Sequence, residues 1–92
     1  MKITNTRIAL FDNQTNLKAV ASITLDECFV VHNLKVIQTE NGLFVAMPSK
    51  KSANGEFKDI AHPLNTETRN YISSTVLQAY QATLAEKTQS DT

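Results

Sequence analysis

Cysteine, tryptophan, glycine and proline are scarce in this chain of 92 residues, which contains one cysteine, no tryptophan, two glycines and two prolines. The single Cys28 excludes an internal disulfide and a cysteine-rich zinc site. With 41% hydrophobic and 20% charged residues, the composition is that of one small folded domain rather than of a disordered chain.

Net charge and long apolar runs are also absent. Nine lysine and arginine residues balance nine aspartate and glutamate residues, which counts against a strongly basic nucleic-acid-binding domain. Any nucleic-acid function must therefore depend on local clusters of cations. No apolar run approaches the roughly 20 residues that span a membrane, and the N-terminus lacks the apolar core of a signal peptide. We expect a cytoplasmic protein with no membrane partner.

Motifs of the common enzyme classes are missing as well. The sequence has no phosphate-binding loop, dinucleotide-binding, nucleophile-elbow or zinc-protease pattern. His32 and His62 lack the close spacing of a metal-binding pair. A general-base role for His62 beside Asp59 has no nucleophile to support it, so a hydrogen bond to a turn carbonyl is favoured for His62. We expect no catalytic residue, metal, cofactor or small-molecule substrate.

Alternation of polar and apolar residues predicts three strands in the first half of the chain, Lys2–Phe11, Leu17–Leu25 and Phe29–Gln38, with a polar turn over Asp12–Asn16. The residues assigned to one face of the first strand are Thr4, Thr6, Ile8 and Leu10. Those assigned to one face of the third are Val30, His32, Leu34 and Val36, so His32 is expected in the core or an interface. A helix is the alternative for this third segment, but its Val and Ile content favours a strand.

The second half of the chain begins with a hairpin signal. Asn41-Gly42 predicts a tight turn, because a type I′ turn needs positive φ at both central residues. Leu43–Pro48 is predicted as a fourth strand with two apolar faces, Ser49–Glu56 as a polar loop and Phe57–Ala61 as a short fifth strand. We expect Phe44 and Phe57 to pack in the core rather than to stack on nucleic-acid bases.

A helix follows, with Asn65 or Thr66 as its N-cap. Its apolar stripe consists of Ile72, Val76, Ala79, Tyr80 and Leu84. The sequence therefore predicts an α+β fold, with a five-stranded, mainly antiparallel sheet followed by one C-terminal helix. A single domain is expected over residues 1–85 and a frayed tail over residues 86–92.

One helix covers only one face of such a sheet. The second faces of the third and fourth predicted strands are apolar and need cover of their own. Because a symmetric partner supplies it most simply, we expect a homodimer formed through the sheet.

Lys50 and Lys51 form the most conspicuous cationic pair. One interpretation is a tip that contacts phosphates, with Lys58 and Arg69 adding to it. The other is solvated charge that keeps a hairpin end soluble and guards its edge. From these residues alone, solvated charge is favoured.

Two segments carry a resemblance to a known family. ASITLDECFVVHNLKVI, followed by NGLFVAMPSKKSANGEFKDIAHPLN, resembles the stage V sporulation protein G (SpoVG) family of septation regulators, over residues 3 to about 85. The resemblance implies a small α+β protein that dimerises through its sheet. It also implies a non-enzymatic bacterial regulator in the cytoplasm that binds DNA, and in some members RNA, with effects on septation and gene regulation. A role in sporulation is not carried over, since many members come from bacteria that do not sporulate.

The resemblance also changes the interpretation of the lysine pair. The family's nucleic-acid contact is associated with a basic pair after the Met-Pro-Ser segment, which falls on Lys50 and Lys51 here. Family members commonly have arginine where this chain has Lys51, and lysine lacks the planar fork that arginine uses for two-point contacts. The nucleic-acid-binding residues predicted are therefore Lys50, Lys51, Lys58 and Arg69. The alternative function is a protein–protein adaptor in division or regulation, with incidental nucleic-acid affinity.

Overall fold

The computed structural model describes the backbone of residues 1–11 and 15–90, and the side chains of residues 1–11 and 15–86. The elements are β1 (Ile3–Leu10), β2 (Leu17–Leu25), β3 (Phe29–Thr39), β4 (Gly42–Ala46), β5 (Ser49–Lys51), β6 (Phe57–Asp59) and α1 (Thr66–Ser90). Strands β1 to β4 form one antiparallel sheet in chain order, and β5 and β6 form a separate two-stranded ribbon. The α+β class, the antiparallel sheet and the C-terminal helix are thus confirmed, and the helical alternative for β3 is wrong.

The prediction of one five-stranded sheet is also wrong. The fourth strand ends at Ala46 rather than Pro48, because proline has no N–H to donate to the ladder. After Pro48 the chain pairs with a later segment instead, so residues 49–51, predicted as loop, form β5. The Pro48 carbonyl accepts a 2.8 Å hydrogen bond from the Ile60 N–H, which continues the pairing of β5 and β6 by one residue at the base of the ribbon.

The core lies between helix α1 and one face of the four-stranded sheet. Ten apolar side chains are buried there: Ala19, Ala21, Ile23, Leu34, Val36, Val45, Met47, Ile72, Val76 and Tyr80. The one apolar face predicted for Leu17, Ala19, Ala21, Ile23 and Leu25 of β2 is confirmed from Ala19 to Leu25, but a register shift between Leu17 and Ala19 puts Leu17 opposite Ile37, away from the core. Ile72, Val76 and Tyr80 from the helical stripe are confirmed as well. Leu84, which was predicted to belong to that stripe, is exposed. We call the sheet face that packs on α1 the inner face and the opposite one the outer face.

A bulge in β3 overturns the predicted faces at the start of that strand, while the predicted inner positions of Leu34 and Val36 are confirmed. Pairing moves from Ala21 opposite Leu34 to Ile23 opposite Val31, so that His32 and Asn33 together lie opposite Ser22. Asn33 has a φ of 68°, a left-handed conformation that asparagine tolerates better than most residues. As a result Val31, not Val30, packs against the core, and His32 is exposed rather than in the core.

A second irregularity changes β1. The register shifts between Ile3 and Asn5, so Ile3 packs against the core with Ile8 and Leu10. Thr4, predicted to share a face with Ile8 and Leu10, is exposed. Its hydroxyl oxygen instead accepts a 3.0 Å hydrogen bond from the Glu27 N–H, which joins the start of β1 to the turn between β2 and β3.

Helix α1 begins with a side-chain cap. The Asn65 carboxamide oxygen accepts a 2.7 Å hydrogen bond from the Thr68 N–H, so Asn65 rather than Thr66 is the N-cap, an arrangement that stabilises a helix by about 1 kcal/mol. The helix continues to Ser90. The frayed tail expected over 86–92 lies partly outside the described residues, as does the turn expected at Asp12–Asn16, and both stay predictions.

Candidate nucleic-acid interface

The candidate interface is the β5–β6 ribbon, which is shaped by the turn at residues 52–56. The Ser52 N–H donates to the Glu56 carbonyl at 2.7 Å, and the Gly55 N–H donates to the Ser52 carbonyl at 3.0 Å. Gly55 has a φ of 89°, which glycine adopts without steric cost. The Asn54 side-chain oxygen accepts hydrogen bonds from the Ser52 hydroxyl and the Glu56 N–H. This turn sets which residues of β5 and β6 face each other.

Two lysines lie directly opposite one another on this ribbon. Lys50 pairs with Lys58 in the antiparallel register, and both side chains are exposed. Directly opposed residues share a face with Cβ atoms about 5 Å apart, and like charges there destabilise the pair. Neither lysine has an ion-pair partner within the part of the chain that the structure describes. The ribbon therefore holds two positive charges close together, and a bound anion would reduce the repulsion between them.

Lys51 lies on the other face of the ribbon. Its cross-strand neighbour is Phe57, which is 69% exposed. The lysine pair predicted as one loop tip is thus part of a strand, and its two members point in opposite directions. The tip itself consists of residues 52–56. Strand alternation separates Lys50 from Lys51, while the hairpin register joins Lys50 to Lys58.

The predicted core positions of two aromatic residues are wrong. Phe57 is exposed because no layer covers the ribbon, and Phe44 is 50% exposed because it lies on the outer face of the sheet. The exposed ring of Phe57 lies beside Lys51. Sites for single-stranded nucleic acid combine aromatic rings, on which bases stack, with basic residues of this kind.

Arg69, the fourth predicted site residue, belongs to another element. Its side chain is exposed in the first turns of α1. Its backbone N–H donates a 3.1 Å hydrogen bond to the backbone carbonyl of Asn65. The structure therefore brings Lys50 and Lys58 together, places Lys51 beside them on the opposite face, and puts Arg69 on the helix.

His62 contacts its own turn. One of its ring nitrogens, Nδ1, lies 3.1 Å from the Pro63 carbonyl oxygen, as the structural interpretation predicted. Among the described residues no group of three or more His, Cys, Asp or Glu side chains could hold a metal ion. In the same part of the chain, no helix is long and apolar enough to cross a membrane.

Sequence reasoning missed a second group of cations, on the outer face of the sheet. Arg7 lies opposite Ser22, and Ser22 lies opposite the bulged His32 and Asn33. One signal could have revealed it: strands β1 to β4 contain Arg7, Lys18 and Lys35 but no Asp or Glu.

Comparisons with known proteins agree on one family. The SpoVG family model matches residues 1–82. Three curated relatives are named "Putative septation protein SpoVG". The one from Acetivibrio thermocellus is 50% identical over 99% of this chain and 97% of its own length. The one from Caldicellulosiruptor bescii is 49% identical over 92% of this chain and 97% of its own length. The one from Macrococcus caseolyticus is 53% identical over 92% of this chain and 74% of its own length. With this similarity along nearly its full length, the chain belongs to the SpoVG family.

Proposed function

We propose that this protein is a non-catalytic regulator that binds DNA or RNA as a homodimer in the bacterial cytoplasm, with a role in septation and gene regulation. The lysines of the ribbon, Lys50, Lys51 and Lys58, contact phosphates, and Arg69 adds a contact from the helix. The observation that carries the proposal is the direct opposition of Lys50 and Lys58. A nucleic-acid phosphate between them converts a repulsive pair into a binding site.

The zero net charge of the chain limits the affinity of a single protomer. Two ribbons on one dimer supply about six lysine contacts, and each released counterion steepens the dependence of log affinity on log salt by about 0.9 for duplex DNA. Lysine contacts of this kind position a protein on the backbone and carry no sequence information themselves. Dimerisation therefore supports this function because it multiplies weak contacts.

The outer face of the sheet provides an apolar surface for the dimer. Leu17 lies opposite Ile37 and Ile37 opposite Phe44, so the three side chains form one row across β2, β3 and β4. None of them belongs to the core under α1. A domain of this size has a small core and therefore a low stability. Burying this apolar row against a second copy would increase that stability.

Phe44→Glu is expected to convert a dimer into a monomer, because it places a carboxylate in the apolar row that forms the proposed interface. Sedimentation velocity at micromolar concentration should show about twice the 10.2 kDa chain mass for the wild type and the single chain mass for the variant. Phe57→Glu is the matched control, since this exposed aromatic residue lies on the ribbon and should leave the dimer intact. A wild type that sediments only as a 10.2 kDa species would contradict the dimer.

The binding proposal is tested by titrating salt. The wild-type dimer is expected to bind a DNA duplex with a log–log salt slope of about −7, because three lysines and Arg69 from each protomer make about eight phosphate contacts at about 0.9 each. Affinity is measured by fluorescence anisotropy from 0.05 to 0.5 M salt. A slope near zero, or no binding at 0.05 M salt, would exclude the ribbon as a phosphate-contacting surface.

An adaptor function has its own supporting observation. Phe57, Ile60 and Leu64 are exposed along the segment that leads from the ribbon to α1, Leu64 by 90%. Exposed apolar side chains close together are typical of protein–protein contact sites. A protein without nucleic-acid affinity at low salt would favour this adaptor function.

A further inference from the structure

The outer face of the sheet has an unusual charge distribution. Strands β1 to β4, all within the described residues, contain three cationic side chains and no acidic one. The whole chain, in contrast, has equal numbers of both signs. The acidic residues nearest in sequence, such as Asp26, Glu27 and Glu40, lie in the turns that connect strands. The sheet therefore carries a local positive field that the net charge conceals.

The cross-strand register brings several donor groups together on this face. Arg7 lies opposite Ser22, and Ser22 faces the bulge formed by His32 and Asn33. Together with Ala9 and Val20 these residues line a shallow hollow of about 200 Å³. Lys35 lies opposite Val20 on the neighbouring row, about 7 Å further along the strands.

The chemistry of the hollow is that of an anion site. A guanidinium, a hydroxyl, an imidazole and a carboxamide all donate hydrogen bonds, and no carboxylate lies among them. In the part of the chain that the structure describes, the side chains of Arg7, His32 and Lys35 have no hydrogen-bonded or ion-paired partner. Their donors are thus available to a ligand.

From this geometry we infer a second nucleic-acid contact site, at which a backbone phosphate of a single strand lies between Arg7 and His32 and the next phosphate lies near Lys35. The inference rests on the proposed nucleic-acid function and assigns it an additional surface. The β3 bulge creates the site, because without it His32 would point to the inner face.

A single strand fits this surface better than a duplex. The four strands span about 15 Å, and Ala9 and Val20 offer apolar contact directly beside the cations. Only an unpaired strand can place the faces of its bases against apolar side chains while its phosphates reach the donors. Arg7 and Ser22 lie two rows away from Leu17, Ile37 and Phe44, and Lys35 lies on the row between, so the site borders the proposed dimer interface.

The test compares Arg7→Gln and Arg7→Gln/Lys35→Gln with the wild type in binding to a fluorescent single-stranded 10-mer. Each lost contact should reduce the slope of log affinity against log salt by about 0.7. Between 1 M and 0.1 M salt, this difference lowers the affinity about fivefold for the single variant and about 25-fold for the double variant. Arg7→Lys should retain the slope because it keeps the charge. Lys2→Gln, which removes one positive charge away from the hollow, is the matched control and should change the affinity less than twofold.

Amide chemical-shift mapping of the wild type provides a readout that needs no variant. Addition of the 10-mer should shift the signals of Ser22, His32 and Asn33. If these signals stay in place and the Arg7 variants bind like Lys2→Gln while Lys50 and Lys58 variants lose affinity, the second site is wrong and the proposed function stands. If the wild type binds no nucleic acid, both are wrong. If the Arg7 variants lose more affinity for a duplex of the same sequence than for the single strand, the inference that the ligand is single-stranded is wrong.

Discussion

Lys50→Gln/Lys58→Gln is expected to weaken binding of duplex DNA about 60-fold at 0.1 M salt for each protomer that contacts the DNA. The value follows from two lost phosphate contacts. Each contact contributes about 0.9 to the salt slope, and hence raises the affinity about eightfold as the salt concentration falls from 1 M to 0.1 M. The slope itself should fall by about 1.8 for each protomer that contacts the DNA, or by about 3.6 when both protomers of a dimer do so. Because the two residues lie directly opposite each other on the ribbon, we expect them to contact the same stretch of backbone and to be lost together.

The same variant is expected to unfold at the same temperature as the wild type or slightly above it. Removing two opposed like charges takes away a repulsion in the folded state, and glutamine is uncharged but keeps the first two methylenes of the lysine side chain. Loss of binding without loss of stability therefore distinguishes a contact site from a structural role. The control is Lys2→Gln, which removes one positive charge away from the ribbon and from the hollow on the sheet. An equal loss of affinity per charge removed in the two variants would mean that overall charge, not the ribbon, determines binding.

Leu34→Ala is expected to destabilise the fold by about 2–5 kcal/mol, because it creates a cavity among side chains that cannot fully collapse around it. Leu34 is 0% exposed and lies where the β3 bulge ends, opposite Ala21. For a domain of this size the total free energy of unfolding is about 5–14 kcal/mol, so the change removes a large fraction of it. The midpoint of thermal unfolding should fall by about 10–30 °C.

The matched control for this variant is Leu64→Ala. It removes the same atoms from a side chain that is 90% exposed, so the free energy of unfolding should change by less than about 0.5 kcal/mol. Both variants are measured by urea unfolding at one protein concentration, since dimerisation makes stability depend on concentration. Similar losses for the two would show that Leu34 does not have the buried position described above.

Much of the fold could be predicted from local patterns. The alternation of Leu17–Leu25 predicted a strand with one buried face, and the spacing of Ile72, Val76 and Tyr80 predicted the helical face that covers it. Asn41-Gly42 predicted a turn between β3 and β4, and the turn is present, but its residues are Glu40 and Asn41. Gly42 already pairs with Thr39, and of the predicted pair only Gly42 has a positive φ. These signals succeed because strand and helix periodicity place residues of the same segment on one side, whatever the rest of the chain does.

Features that depend on pairing between segments could not be predicted in this way. The bulge at His32 and Asn33 reverses the faces at the start of β3, and only the register against Ser22 reveals it. Likewise, the sequence names Lys50 and Lys51 as neighbours, whereas the hairpin makes Lys58 the partner of Lys50. A shift of one residue exchanges the two faces of a strand, so small differences in pairing redistribute the charges completely.

Short-range physics is therefore sufficient for the class of fold, the core of β2 and the helix, whereas the family follows from the resemblance of the sequence to known proteins. The positions of the cations relative to one another required the folded chain. Pro48 ends the sheet and frees the ribbon, the turn at residues 52–56 sets the opposition of its lysines, and the β3 bulge turns His32 toward Arg7. The bulge depends on pairing between β2 and β3 and the opposed lysines on pairing between β5 and β6, so both candidate sites for nucleic acid require contacts between separate strands.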